Sequence, residues 1–234
     1  MAACSRSRRP LLGAVVLSIG WVAGVRAQGT GAPRHRDAAL QALQRDDPHA
    51  LRTALLRGAD PNLRDELGTP LVVAAARLKA WQSVRALAEL RGTDLDATSA
   101  DDVNALMFAS LHGELPVVKS LIARGAEVNK TGWTPLHWAA ANGHAEVVRY
   151  LLERHAYIDA ESPNQTTPLM MAARQLHPTT VRLLIDEGAD PTPRNQSGHT
   201  AAEYARLAGD PKLADLLTRE ADAFRRRYGA GAPR

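Results

Sequence analysis

Two landmarks recur along most of this chain at nearly one interval, and that beat restricts the fold more than any single motif. An opening tetrapeptide stands at Thr69-Pro70-Leu71-Val72, Asn104-Ala105-Leu106-Met107, Thr134-Pro135-Leu136-His137, Thr167-Pro168-Leu169-Met170 and Thr200-Ala201-Ala202-Glu203, at spacings of 35, 30, 33 and 33 residues. A Gly-Ala pair or its variant stands at Gly58-Ala59, Gly92-Thr93, Gly125-Ala126, His155-Ala156 and Gly188-Ala189, at spacings of 34, 33, 30 and 33. Residues 131–155 are the clearest copy: a loop, a short helix opened by Thr134-Pro135, a turn at Asn142-Gly143, and a longer helix carrying Val147, Val148, Leu151 and Leu152. Two short helices leave an apolar side uncovered, so such a unit needs copies of itself on either side.

Local chemistry explains the recurring letters. A threonine at the N-cap accepts a hydrogen bond from an orphan backbone N–H, proline at the first helical position has no N–H to strand, and a polar residue three positions on bonds back. Alanine pairs (Ala74-Ala75, Ala139-Ala140, Ala172-Ala173) let helices approach closely, and Gly58, Gly125 and Gly188 suit the left-handed residue that ends a helix. His155 stands in that place without glycine's freedom, so strain or a frayed end is expected there.

These residues resemble the ankyrin repeat, whose pattern includes T-P-L-H, two alanines, N-G-H, V-V-x-x-L-L and G-A-x-x-N. The resemblance covers about residues 36–224 and implies an all-α solenoid of stacked helix-turn-helix units with short hairpin or loop fingers. Its expected divisions are an N-terminal helix pair at 36–62, repeats at 63–96, 97–129, 130–159 and 160–192, and a C-terminal cap at 193–224. It also implies a non-enzymatic module that binds a protein through the concave face and the fingers.

Departures from the pattern carry information. Asp96 to Asn104, Asp159 to Thr167 and Thr192 to Thr200 each span eight residues, whereas Asn129 to Thr134 spans five. The finger there should be truncated, leaving a notch beside Trp133. The copy at 63–96 has two extra residues between Thr69 and Gly92 and places Trp81, Gln82 and Ser83 near the usual valines, so it should pack least regularly.

Charge says little about partners. The formal +4 is matched by Arg6, Arg8, Arg9 and Arg26, and removing these four leaves 25 basic against 25 acidic side chains, so nucleic acid is not expected. Residues 1–27 read as an export signal, with basic residues, an apolar run from Leu11 to Gly24, and Val25-Arg26-Ala27 before cleavage. Ser7-Arg8-Arg9-Pro10-Leu11-Leu12 fits either a twin-arginine signal or a general secretory one. The run is short for a bilayer span, so no membrane attachment is expected after cleavage, and the location would be periplasmic or secreted. Cys4, the sole cysteine, would leave with the signal. Residues 28–35 read as a flexible linker and 225–234 as a basic disordered tail.

No constellation for chemistry emerges. His137 and His144 are separated by the Asn142-Gly143 break and share no helical face, and no H-E-x-x-H occurs. Glycine-rich phosphate cradles and a G-x-S-x-G context are absent too, so no cofactor or metal is expected and a small hydrolase or metal enzyme is the least supported reading. Asn129, Asn164 and Asn195 head formal glycosylation sequons in loops where asparagine is ordinary turn chemistry. Candidate partner contacts are Val103, Leu111, His112, Trp133, Ala141, Asn142, Thr166, Arg174, Gln175 and His199. Trp138 and Phe108 read as packing between repeats. Trp133 has two open readings, an exposed contact or a cover for the shortened loop. A monomer is expected, acting as a binding scaffold or as a dedicated inhibitor of one periplasmic enzyme.

Overall fold

The computed structural model describes residues 31–229. The expected signal and Cys4 lie outside them, as do residues 230–234. Among the described residues twelve helices form six antiparallel pairs: α1 (Gly31–Gln44) with α2 (Pro48–Leu56), α3 (Leu71–Arg77) with α4 (Trp81–Ala88), α5 (Ala105–Leu111) with α6 (Leu115–Ala123), α7 (Pro135–Ala141) with α8 (Ala145–Glu153), α9 (Pro168–Arg174) with α10 (Pro178–Asp186), and α11 (Ala201–Leu207) with α12 (Pro211–Tyr228). Each first helix packs on the first helix of the next pair, and each second helix backs it. Among the described residues there is no strand, only an isolated bridge between Arg64 and Pro70.

Two expected boundaries move. Helix α1 begins at Gly31, inside the stretch read as a linker, and α12 runs to Tyr228, four residues past the expected end of the cap at 224. Phe224 and Tyr228 face each other one turn apart, with ring centroids at 4.6 Å, which gives this last turn an apolar contact that the run of arginines hides in the sequence.

Seven-residue helices are marginal alone; burial on both sides makes them persist. Leu106, Leu136 and Leu169 at one position, and Ala109, Ala139 and Ala172 at another, are fully or almost fully enclosed, and Val118, Val148 and Val181 close the core from the second helices. Each buried Leu or Val contributes roughly 1.5–3 kcal/mol relative to exposure, and the small alanines set the close spacing of neighbouring helices.

The frame at 63–96 needs correction. Four fingers close with the same backbone bond, from Asp65 N–H to Thr69 O (2.9 Å), Ser99 to Val103 (3.0 Å), Ser162 to Thr166 (3.1 Å) and Asn195 to His199 (3.1 Å). Thr69 therefore matches Val103 and Thr166, one residue before the tetrapeptide position, and the N-cap of α3 is Pro70 with no side-chain cap bond. The alanines equivalent to Ala139-Ala140 are Ala75-Ala76 rather than Ala74-Ala75. Of the two extra residues, one lies in this offset and the other between the end of α4 and Gly92. This copy is irregular at both ends, and its Ser83 hydroxyl is enclosed without a partner among the described residues.

Between Asn129 and Thr134 no such closing bond forms, so that finger is truncated as the spacing predicts. His155 adopts φ 64°, strained for a residue with a Cβ, yet it does not fray: its N–H reaches Leu152 O at 2.9 Å and Ala156 N–H reaches Leu151 O at 3.0 Å.

Polar rungs join successive copies. Asn62, Asp96, Asn129 and Asp159 accept the backbone N–H of Asp94, Glu127, Tyr157 and Asp190 in the following copy, at 2.7 to 3.0 Å. At the turns, His144 Nε2 donates to Leu111 O (3.0 Å) and His177 Nε2 to Ala141 O (3.1 Å). These rings lie over Gly113 and Gly143, where an added Cβ would sit 2.5 and 2.6 Å from a ring nitrogen. Three other such turns are made by Asp46, Lys79 and Leu176 at φ 47°, 59° and 55°, and the following copy there carries Ala80, Glu114 or Asp210 instead of histidine; the turn at Gly209 has no described copy after it. Glycine is thus required where a histidine stacks on the turn. Gly143→Ala should cost about 2–4 kcal/mol, combining left-handed strain with a displaced His177 bond. Gly143→Ala combined with His177→Ala should cost less than the two single changes summed, read by urea unfolding.

Candidate partner-binding face

Fingers and first helices together build one face of the array, and its chemistry depends on a few side chains held by a rigid frame. His137 is the clearest frame element. Thr134 backbone N–H donates to its Nδ1 at 3.1 Å, which fixes the hydrogen on Nε2, and Nε2 donates to Thr166 O in the next finger at 2.9 Å. With Thr134 Oγ1 accepting from His137 N–H, the pair forms a capping box. The ring is wholly enclosed, and this desolvation pushes its pKa down to about 4 despite the backbone bonds to Thr166 and Ala160.

Two residues of the expected set belong to this frame. Thr166 is buried, its carbonyl held by His137 and its hydroxyl by Asn195 Nδ2 at 3.3 Å. Ala141 is buried as well, its carbonyl held by His177. Their sequence positions are right for the face, but neighbouring copies cover them. The asparagine sequons divide similarly. Asn129 bonds Tyr157 N–H and His155 O, and buried Asn195 bonds His199 N–H and Tyr204 Oη, so both amides already serve the frame.

Other expected residues do reach the surface. Val103, Leu111 and His112 are half-buried on the α5 unit. The His112 ring lies 5.8 Å from that of Trp81, and burial, then Lys79 and His144, hold its pKa below the ordinary value. Trp133 is half-buried in the notch, edge-on to His137 (centroids 5.3 Å, 76°) and 6.2 Å from Trp138. Trp133 therefore both covers the shortened loop and presents surface. Exposed Asn142 donates from Nδ2 to Trp138 O at 3.1 Å, and Trp138 Nε1 is enclosed with no partner among the described residues.

Farther along, Arg174, Gln175 and His199 line a single pocket of about 530 Å³ with Asn164, Ser197, Tyr204, Leu207 and Ala208. The Arg174 guanidinium carbon sits 5.8 Å from the Tyr204 ring centroid, and the His199 ring sits 5.3 Å from it. The exposed candidates thus fall in three places, the α5 unit beside Trp81, an aromatic notch at α7, and a mixed pocket between α9 and α11. Sequence reasoning missed Met171, Tyr204 and Leu207. The signal for Met171 and Tyr204 was the fourth helix position, where Ala74, Phe108, Trp138, Met171 and Tyr204 follow one another in the corrected frame, and Leu207 stands at the last position of its short helix, as Arg174 does. All but Ala74 are half-buried, so this column presents surface as well as packing.

Among the described residues no cluster of three or more His, Cys, Asp or Glu is placed to hold a metal, and no helix is long and apolar enough to cross a membrane. The geometry defines a class, an all-helical solenoid whose frame presents one side-chain-bearing face for protein contact. The family model described as ankyrin repeats (3 copies) matches residues 39–131, 79–162 and 155–226, and the chain belongs to the ankyrin-repeat family. It is 34% identical over 156 residues to the ankyrin repeat and SAM domain-containing protein 6 of Rattus norvegicus, covering 61% of this chain and 18% of that protein. It is 29% identical over 175 residues to the tyrosine-protein kinase Shark of Drosophila melanogaster, covering 73% and 19%. To the putative ankyrin repeat protein YahD of Escherichia coli (strain K12) it is 27% identical over 188 residues, covering 76% of this chain and 92% of that protein. The chain spans under a fifth of the rat and fly relatives, and the family marks it as a protein–protein interaction module.

Two buried titrations oppose each other. Asp159, largely enclosed and close to Asp190, has its pKa raised to about 6, chiefly by desolvation. As pH falls from 6.5 to 4 the unfolded chain protonates the position of His137 before the folded one does, which destabilises the fold. Between 6 and 3.8 the folded state protonates Asp159 first, which stabilises it, so the two offset. Asp159→Asn should gain about 1 kcal/mol at pH 7 and then lose stability more steeply than wild type toward pH 4. Denaturation across that range checks this, and histidine NMR should show His137 neutral, with hydrogen on Nε2, down to about pH 4.

Proposed function

We propose that the chain is an exported, non-enzymatic binding protein that holds one partner protein on the inner face of its six helix pairs. The observation that carries this reading is the truncated finger, which leaves the Trp133–Trp138 surface at the middle of the array while His137 fixes the backbone around it. Rigid aromatic surface contributes contact area at small entropic cost, and tryptophan is enriched where binding energy concentrates. His112, Asn142, Arg174, Gln175 and His199 surround or extend that surface. The module acts as a monomer without a cofactor, and the export reading rests on the basic-apolar-small pattern of residues 1–27, with the mature chain starting at Gln28.

Affinity capture from periplasmic extract with the chain from Gln28 onward tests the proposal. A stoichiometric protein partner should be retained and released by Trp133→Ala, which should weaken binding by about 2 kcal/mol or more and lower the melting temperature only slightly. A partner enzyme that loses activity on capture identifies an inhibitor. Turnover by the chain itself, or a Trp133→Ala variant that melts early and binds normally, contradicts the reading.

A further inference from the structure

Resting on that reading of the inner face, we infer that the pocket between α9 and α11 is a subsite for an acidic side chain of the partner, held by Arg174 and flanked by an apolar neighbour on Tyr204 and Leu207. Arg174 occupies the last position of its short helix, where Arg77, Leu111, Ala141 and Leu207 stand in the other copies. Three of these five positions are apolar, so the framework does not require a cation there. Its guanidinium is exposed, rests by the Tyr204 face, and forms no ion pair among the described residues. None of the eight lining residues is acidic. The nearby carboxylate of Glu203 is already committed to Arg194 at 2.9 Å and to Thr200 N–H at 2.7 Å. The lining therefore carries one positive charge and no negative one.

The remaining walls complete the recognition. His199 lines the pocket with its Nδ1 enclosed and without a partner among the described residues, while Asn164, Gln175 and Ser197 add neutral hydrogen-bonding groups. Guanidinium offers paired N–H donors that match a carboxylate, and the ring behind it holds the fork in place. Leu207 is 69% exposed at the same rim, an apolar side chain for the residue beside the acid. A finger loop on one side and helix ends on the other suit an extended segment laid across the pocket.

Two probes differing in one group test the assignment: acetyl-Ala-Leu-Glu-Leu-Ala-amide and its Gln counterpart, titrated into the protein and followed by NMR at the Arg174 Nε–H and the Tyr204 and His199 rings. The Glu probe should bind at least about fivefold more tightly than the Gln probe. Arg174→Gln should abolish that preference, Arg174→Lys should keep part of it, and Arg206→Gln, an exposed cation outside the pocket, should leave it intact. Equal binding of the two probes, or a preference that survives Arg174→Gln, overturns the proposal. Free glutarate binding as well as the Glu probe also overturns it, since the carboxylate alone would then suffice. If the preference is absent while Trp133→Ala still releases the captured partner, the pocket assignment fails and the inner-face reading stands; if neither variant acts, both fail.

Discussion

Everything in this array depends on the joint between one copy and the next. The bond from His137 Nε2 to Thr166 O is its clearest instance, because one enclosed ring caps its own helix through Nδ1 and holds the following finger through Nε2. No pair of seven- to nine-residue helices is stable alone, so stability is supplied by neighbours and passes along the stack. The Asn and Asp rungs and the histidines over glycine turns repeat the same logic with other atoms. Exposed ion pairs between units, such as Lys130 with Asp102 and Arg52 with Glu89, add little by comparison.

That division of labour frees the inner face. Side chains at the joint are buried and have fixed partners, whereas Trp133, Asn142, Arg174 and His199 project from backbone that the joint has already positioned. A partner meets preorganised surface, and binding spends little entropy on ordering it. The truncated finger is the largest change to this face that leaves the joint intact: three residues are missing, yet Thr134 still caps α7 and His137 still reaches Thr166.

Much of the fold was legible because periodic caps, alanines and turn glycines each have a local physical reason. The shortened finger was legible from five residues standing where eight were expected. What misled was Thr69-Pro70, since the letters match the tetrapeptide but the backbone places proline at the cap. Only the Asp65–Thr69 closing bond reveals that offset. On the face, Arg174, Gln175 and His199 were expected as separate positions. Their convergence around Tyr204 depends on residues 25 to 30 apart meeting across two helices, which spacing alone does not display. Thr166 and Ala141 were misjudged for the converse reason, because their covers come from neighbouring copies.

Native-state hydrogen exchange on His137→Ala tests most directly whether stability passes through the joints. The account predicts that amide protection falls most in α7, in the finger at residues 160–167 and in α9, less at the pairs on either side, and hardly at all in α1 and α2. A uniform loss across the chain, or an effect confined to the neighbourhood of residue 137, would contradict it.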